Sequence, residues 1–128
     1  MKNIAISEDH LYRKVYAKGQ KIFCRHIAVY VLTDYRASRL AKENPLKKKL
    51  NRVGLTVTKK LGKAVVRTRT RRILRAAYQQ LEKENEVKKG FLVVIVARSA
   101  ATEAKTQDIY GDLRYAFKKL GLINHEAV

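Results

Sequence analysis

Tryptophan is absent from the sequence, and cysteine, proline and methionine each occur once, as Cys24, Pro45 and Met1. A lone cysteine excludes an internal disulfide and points to a reducing compartment, the cytoplasm being the expected location. No stretch approaches the ~20 uncharged apolar residues of a spanning helix, so no membrane partner is expected. Glu8 and Asp9 precede any apolar run, so the N-terminus does not read as a secretory signal. Metal-ligand spacing is missing too: one cysteine and the scattered His10, His26 and His125 do not make a zinc site. The same three histidines sit in no motif that would pair them for acid–base cleavage, so no catalytic residue is expected in the protein itself. Neither G-x-x-x-x-G-K-[ST] nor G-x-G-x-x-G occurs, and neither a nucleotide-dependent activity nor a small-molecule substrate has support. Acidic residues are scarce: 11 Asp and Glu stand against 29 Lys and Arg, a formal net charge of +18.

What is present is a chain of 128 residues, 46% hydrophobic, which is one domain's worth of sequence with enough apolar surface to fold. The expectation is a single domain over 1–128. Its charge is clustered: Lys59, Lys60, Lys63, Arg67, Arg69, Arg71, Arg72 and Arg75 follow one another with no acidic residue between them. Self-repulsion on this scale is most easily understood if a polyanion neutralises it. Nucleic acid is the favoured partner, ahead of an anionic membrane surface or an acidic protein. The stretch 82–89, by contrast, alternates in sign like an ordinary solvated helix end.

Periodicity sets out the elements. Ser7 can cap a first helix that carries Leu11, Tyr12, Val15 and Tyr16 and stops at Gly19. Ile22 to Thr33, β-branched and aromatic, reads as a strand. Asp34 to Leu50 holds Pro45 and Lys47-Lys48-Lys49 and reads as a long basic loop. Val53, Leu55 and Val57 alternate with Gly54, Thr56 and Thr58, predicting a strand with one buried face. After a turn at 59–62, a helix is expected from about Lys63 to Asn85. Phe91 to Ala97 is an unbroken apolar run that suits a central strand, and a last helix is expected over about Thr106 to Leu120. The fold class is α/β (α+β), a two-layer sandwich in the order α-β-β-β-α-β-α around one mainly four-stranded sheet. The last strand–helix–strand unit predicts parallel strands.

In the long helix, Val66, Thr70, Ile73, Leu74, Ala77 and Leu81 share one arc at about 100° per residue. Arg67, Arg71 and Arg75 stack beside it, Arg72 lies further round, and Arg69 falls on the opposite border. Three guanidiniums roughly 6 Å apart can meet successive phosphates along a strand. A planar fork holds a phosphate with two hydrogen bonds, and the helix start adds its positive dipole end.

The stretch Asn51 to Tyr78, NRVGLTVTKKLGKAVVRTRTRRILRAAY, resembles the signature of the bacterial ribonuclease P protein component. Its pattern is a strand ending in K-K and then G-x-A-V-x-R-N-R-x-(K/R)-R. Gly62, Ala64, Val65, Arg67, Arg69, Arg71, Arg72 and Arg75 stand on matching positions. Upstream, Glu8-Asp9, Tyr12, Val15, Tyr16 and Gly19 are similar to the family's first helix, and Arg25 and Tyr30 to its first strand. Two positions depart: Thr68 stands where the family has the asparagine of R-N-R, and Lys63 where an asparagine usually follows the glycine. The segment 34–50 is also longer than the family pattern leads one to expect.

The resemblance implies a protein subunit of a ribozyme that removes the 5′ leader from precursor tRNA, with a βαβ crossover of unusual left-handed chirality. It implies that the chemistry belongs to the catalytic RNA and its magnesium ions, with none bound tightly by the protein alone. Contact with that RNA falls to Lys59, Lys60, Lys63, Arg67, Thr68, Arg69, Arg71, Arg72 and Arg75. The single-stranded leader falls to a cleft of Tyr12, Tyr16, Arg25, Tyr30, Thr56 and Thr58. Exposed bases stack on aromatic rings at ~1–3 kcal/mol each without demanding a sequence. The tyrosines could instead be core residues with their hydroxyls reaching water, and Arg25 a rim charge. The alternative function is a structural RNA-binding protein of ribosomal type.

Overall fold

The computed structural model of the chain describes residues 4–5, 9–33 and 51–123. The expected basic loop at 34–50, the cap Ser7 and His125 lie outside them. The elements are β1 (Ile4–Ala5), α1 (Asp9–Lys18), β2 (Gln20–Phe23), β3 (Ile27–Thr33), β4 (Arg52–Thr56), α2 (Ala64–Glu84), β5 (Phe91–Ala97) and α3 (Thr106–Lys119). Short 3₁₀ turns at Lys59–Leu61 and Ser99–Glu103 precede α2 and α3. Beyond the two-residue β1, the order is the expected α-β-β-β-α-β-α.

The sheet order is β1-β4-β5-β3-β2. β4 and β5 run parallel, as the strand–helix–strand unit predicts, while β3 is antiparallel to β5 and β2 to β3. β5 is the middle strand and Leu92, Val93, Val94 and Ile95 are all buried, which is why its sequence shows no alternation. The segment Ile22 to Thr33 differs from expectation. It is two strands of a hairpin, turning at 24–26 with Phe23 opposite Ala28.

The two faces of the sheet are covered unequally. Beneath it, α2 and α3 bury Leu74, Leu81, Leu113 and Phe117 against Val29, Val31, Val93 and Ile95. Fully burying such side chains stabilises by roughly 1.5–3 kcal/mol each. The arc predicted for α2 is the one that packs: Thr70, Leu74, Ala77 and Leu81 are buried, joined by Tyr78. The Thr70 hydroxyl meets its burial by donating to the Val66 carbonyl at 2.8 Å. Above the sheet, among the described residues, α1 sets Leu11 and Val15 on Leu92 and Val94. Gly19 ends α1 where β3 passes so closely that a Cβ would lie 2.9 Å from the Val31 carbonyl oxygen. Among the described residues, no helix is long and apolar enough to cross a membrane.

Candidate nucleic-acid interface

The basic helix presents its charge as the arc requires. Thr68, Arg72 and Arg75 are exposed, and Arg67 and Arg71 are half-buried along one border. The Nε of Arg67 is buried without a hydrogen-bond partner. None of the five arginines pairs with a carboxylate among the described residues; Asp112 pairs with His26 and Glu82 with Lys89. Arg69 is used differently. On the border facing α3 it donates to the carbonyls of Thr102 at 2.9 Å and Ala104 at 3.4 Å, tying α2 to the second 3₁₀ turn.

Lys63 is the N-cap of α2, with no side-chain cap and no acidic residue in the first turn. A lysine cannot accept from the first-turn N–H groups as an asparagine there would. Exposed Lys59, Lys60 and Lys63 therefore surround an uncapped, positively polarised helix end. Val65 in that turn is 81% exposed, an apolar side chain inside the basic surface that charge counting passed over.

A second surface lies above the sheet. Gly54, Val94 and Tyr30 stand side by side on β4, β5 and β3. The Tyr12 ring lies on Gly54: a Cβ there would sit 2.7 Å from ring atoms Cε1 and Cζ. Gly54 is not among the glycines with positive φ, so the position needs space rather than an unusual backbone. Tyr16, one turn on, has its ring centroid 6.4 Å from that of Tyr12 and 4.9 Å from that of Tyr30, the latter edge-on at 88°. The Tyr16 hydroxyl is 3.0 Å from the Thr56 hydroxyl, within hydrogen-bond range between α1 and β4. Tyr16 is 37% exposed and Tyr30 half-buried, so their rings border solvent rather than lying sealed in a core.

The structure thus brings together Tyr12, Tyr16, Tyr30 and Thr56. Thr58 is exposed past the end of β4, leading into the Lys59–Leu61 turn, and Arg25 is exposed on the β2–β3 turn. Phe23 joins the ring row: 58% exposed, it is edge-on to Tyr30 at 6.2 Å. Read as one strand, Ile22 to Thr33 puts Phe23 and Tyr30 on opposite faces; the hairpin puts them on the same one.

The polar groups nearby serve structure. Asp112 of α3 accepts from both the backbone N–H and Nδ1 of His26, each at 2.9 Å. Arg98 donates to the Cys24 carbonyl at 2.7 Å. Partial burial, with Asp112 nearby, raises the Cys24 thiol pKa, so it is not an activated nucleophile. Among the described residues, no group of three or more His, Cys, Asp or Glu side chains is placed to hold a metal. The arrangement offers two binding surfaces: a cationic ridge suited to phosphates and an aromatic groove suited to unpaired bases.

The Ribonuclease P family profile matches residues 1–121. The chain belongs to the ribonuclease P protein family. It is 34% identical to the ribonuclease P protein component of Clostridium acetobutylicum over 126 residues, 98% of this chain and 96% of that one. It is 35% identical to that of Alkaliphilus oremlandii over 113 residues, 88% of this chain and 87% of the relative. Its fold matches the Staphylococcus aureus RNase P protein with a TM-score of 0.73 at 23% identity, covering 96% of this chain and 100% of the other. The chain is accordingly the RNA-binding subunit of ribonuclease P, the ribonucleoprotein endoribonuclease of tRNA processing, and ribonuclease P RNA is its partner. That membership sets aside the ribosomal-protein alternative.

Proposed function

We propose that this ribonuclease P subunit holds two RNAs at once. The ridge formed by Lys59, Lys60, Lys63, Arg67, Thr68, Arg71, Arg72 and Arg75 grips ribonuclease P RNA, with Arg69 anchoring the helix from behind. The groove of Tyr12, Tyr16, Tyr30 and Thr56 receives the single-stranded 5′ leader of precursor tRNA, with Arg25 and Thr58 at its rim. The observation that carries this reading is the open row of rings across a sheet face that, among the described residues, is covered by α1. Such rings would add buried area if they were core; left facing water, they offer stacking that tolerates any leader sequence.

Magnesium, bound mainly by the RNA subunit, supplies the metal-assisted hydrolysis of the phosphodiester. The side chains of this protein bind and orient: arginines neutralise phosphates of the catalytic RNA, and the groove fixes the strand upstream of the scissile bond. The cytoplasm is the setting proposed for this work.

The test is reconstitution with the cognate catalytic RNA at low magnesium. Protein plus RNA cleaves precursor tRNA, protein alone does not, and affinity for leader-bearing substrate exceeds that for leaderless tRNA. Equal affinity for the two substrates refutes the leader groove.

A further inference from the structure

Phe23 is an apolar side chain 58% exposed on β2, the terminal strand of the sheet. Natural edge strands generally avoid such residues, because an exposed apolar edge invites pairing with another chain. Its surroundings also hold it in place. Its ring packs edge-on against Tyr30, and the hairpin that carries it is pinned at its tip by Asp112 to His26 and by Arg98 to the Cys24 carbonyl. Two exposed cations, Lys21 and Arg25, flank it in sequence, and Lys21 pairs with Tyr30 in the sheet register. A rigid, wet ring bracketed by cations has the composition of a base-stacking platform.

Resting on the leader-groove reading, we infer that Phe23 is a further stacking position for the 5′ leader, extending the groove from β4 across to β2. Tyr12 and Tyr16 engage the β4 side, over Gly54 and beside Thr56, and β4 leads directly into α2. β2 lies three strand spacings away, about 14 Å. If α2 holds the catalytic RNA, Phe23 is the end of the row furthest from it and serves leader nucleotides distal to the cleavage site. The added position reads no sequence; it makes affinity depend on leader length.

The experiment measures affinity of the reconstituted holoenzyme for precursor tRNAs whose leaders lengthen one nucleotide at a time. Phe23→Ala binds short-leader substrates like the parent and loses about fivefold or more once the leader reaches the distal end, the lower bound of one base–ring stack. Phe23→Trp retains the parental gain with length. Phe23→Leu, which keeps an apolar side chain but no ring, behaves like Phe23→Ala. A parental length profile for Phe23→Ala or Phe23→Leu overturns the inference, and so does a loss equal at every leader length. Tyr16→Ala, measured in parallel, separates the two levels. If it weakens leader-dependent binding while Phe23→Ala does not, only the extension falls; if neither does, the groove falls with it.

Discussion

Replacing Gly54 by alanine tests the packing on which the groove depends. The added Cβ would come within 2.7 Å of two Tyr12 ring atoms, closer than non-bonded carbons approach, so the ring must lift from β4. Overpacking of this kind costs about 1–3 kcal/mol. Alanine returns about 0.5–1 kcal/mol because glycine in a strand interior is entropically costly. The net loss of stability is then roughly 0–2.5 kcal/mol, read as a shift of the denaturant midpoint at unchanged slope. In a Tyr12→Ala background the obstacle is gone, and Gly54→Ala becomes neutral or stabilising by up to about 1 kcal/mol. The cycle therefore yields a coupling of about 1–3 kcal/mol between residues 42 positions apart in the sequence. Leader-dependent affinity falls in the Gly54→Ala single variant, because Tyr12 and Tyr16 are displaced together. A cost for Gly54→Ala that is the same with and without the Tyr12 ring refutes the reasoning.

Exchanging Lys63 for asparagine supplies the missing cap of α2 and raises stability by about 0.5–1 kcal/mol, visible in thermal unfolding; no gain would mean the first turn is already satisfied. Arg67→Ala and Arg71→Ala each flatten the salt dependence of catalytic-RNA binding by about one unit per lost phosphate contact, and an unchanged slope would remove them from the interface. Arg69→Ala acts on the fold instead, costing about 1 kcal/mol in denaturation through its lost carbonyl partners, with a smaller effect on the salt slope. Alkylation of Cys24 is slow at neutral pH because burial raises the thiol pKa. Its rate climbs with a midpoint above the ordinary thiol value, and a midpoint at or below that value contradicts the burial seen here.

The parts of the fold legible in the sequence are those that repeat. The arc Val66–Leu81 spans more than four turns, and the Phe91–Ala97 run reports burial on both sides. The β2–β3 hairpin left no trace, because its turn, Cys24-Arg25-His26, has none of the glycine, proline or asparagine that marks a reversal. Its geometry is maintained from a distance by Asp112 and Arg98, partners that no local window contains. Without that turn the alternation sets Phe23 on the face opposite Tyr30, which leaves the ring row one member short. The basic column was legible as charge, but the distinct use of Arg69 depends on carbonyls more than thirty residues away. Gly54 reads in the sequence as an ordinary small residue of an alternating strand; only the ring above it explains the missing side chain.

The unequal cover of the sheet separates what keeps the domain folded from what it grasps. The larger buried cluster sits below, under α2 and α3, and the smaller one above gathers Leu11, Val15, Leu92 and Val94 under α1, leaving the exposed rings outside both. On the proposed reading, exposed positions such as Phe23 can be exchanged without entering either buried cluster, and the same scaffold can then be tuned to leaders of different length.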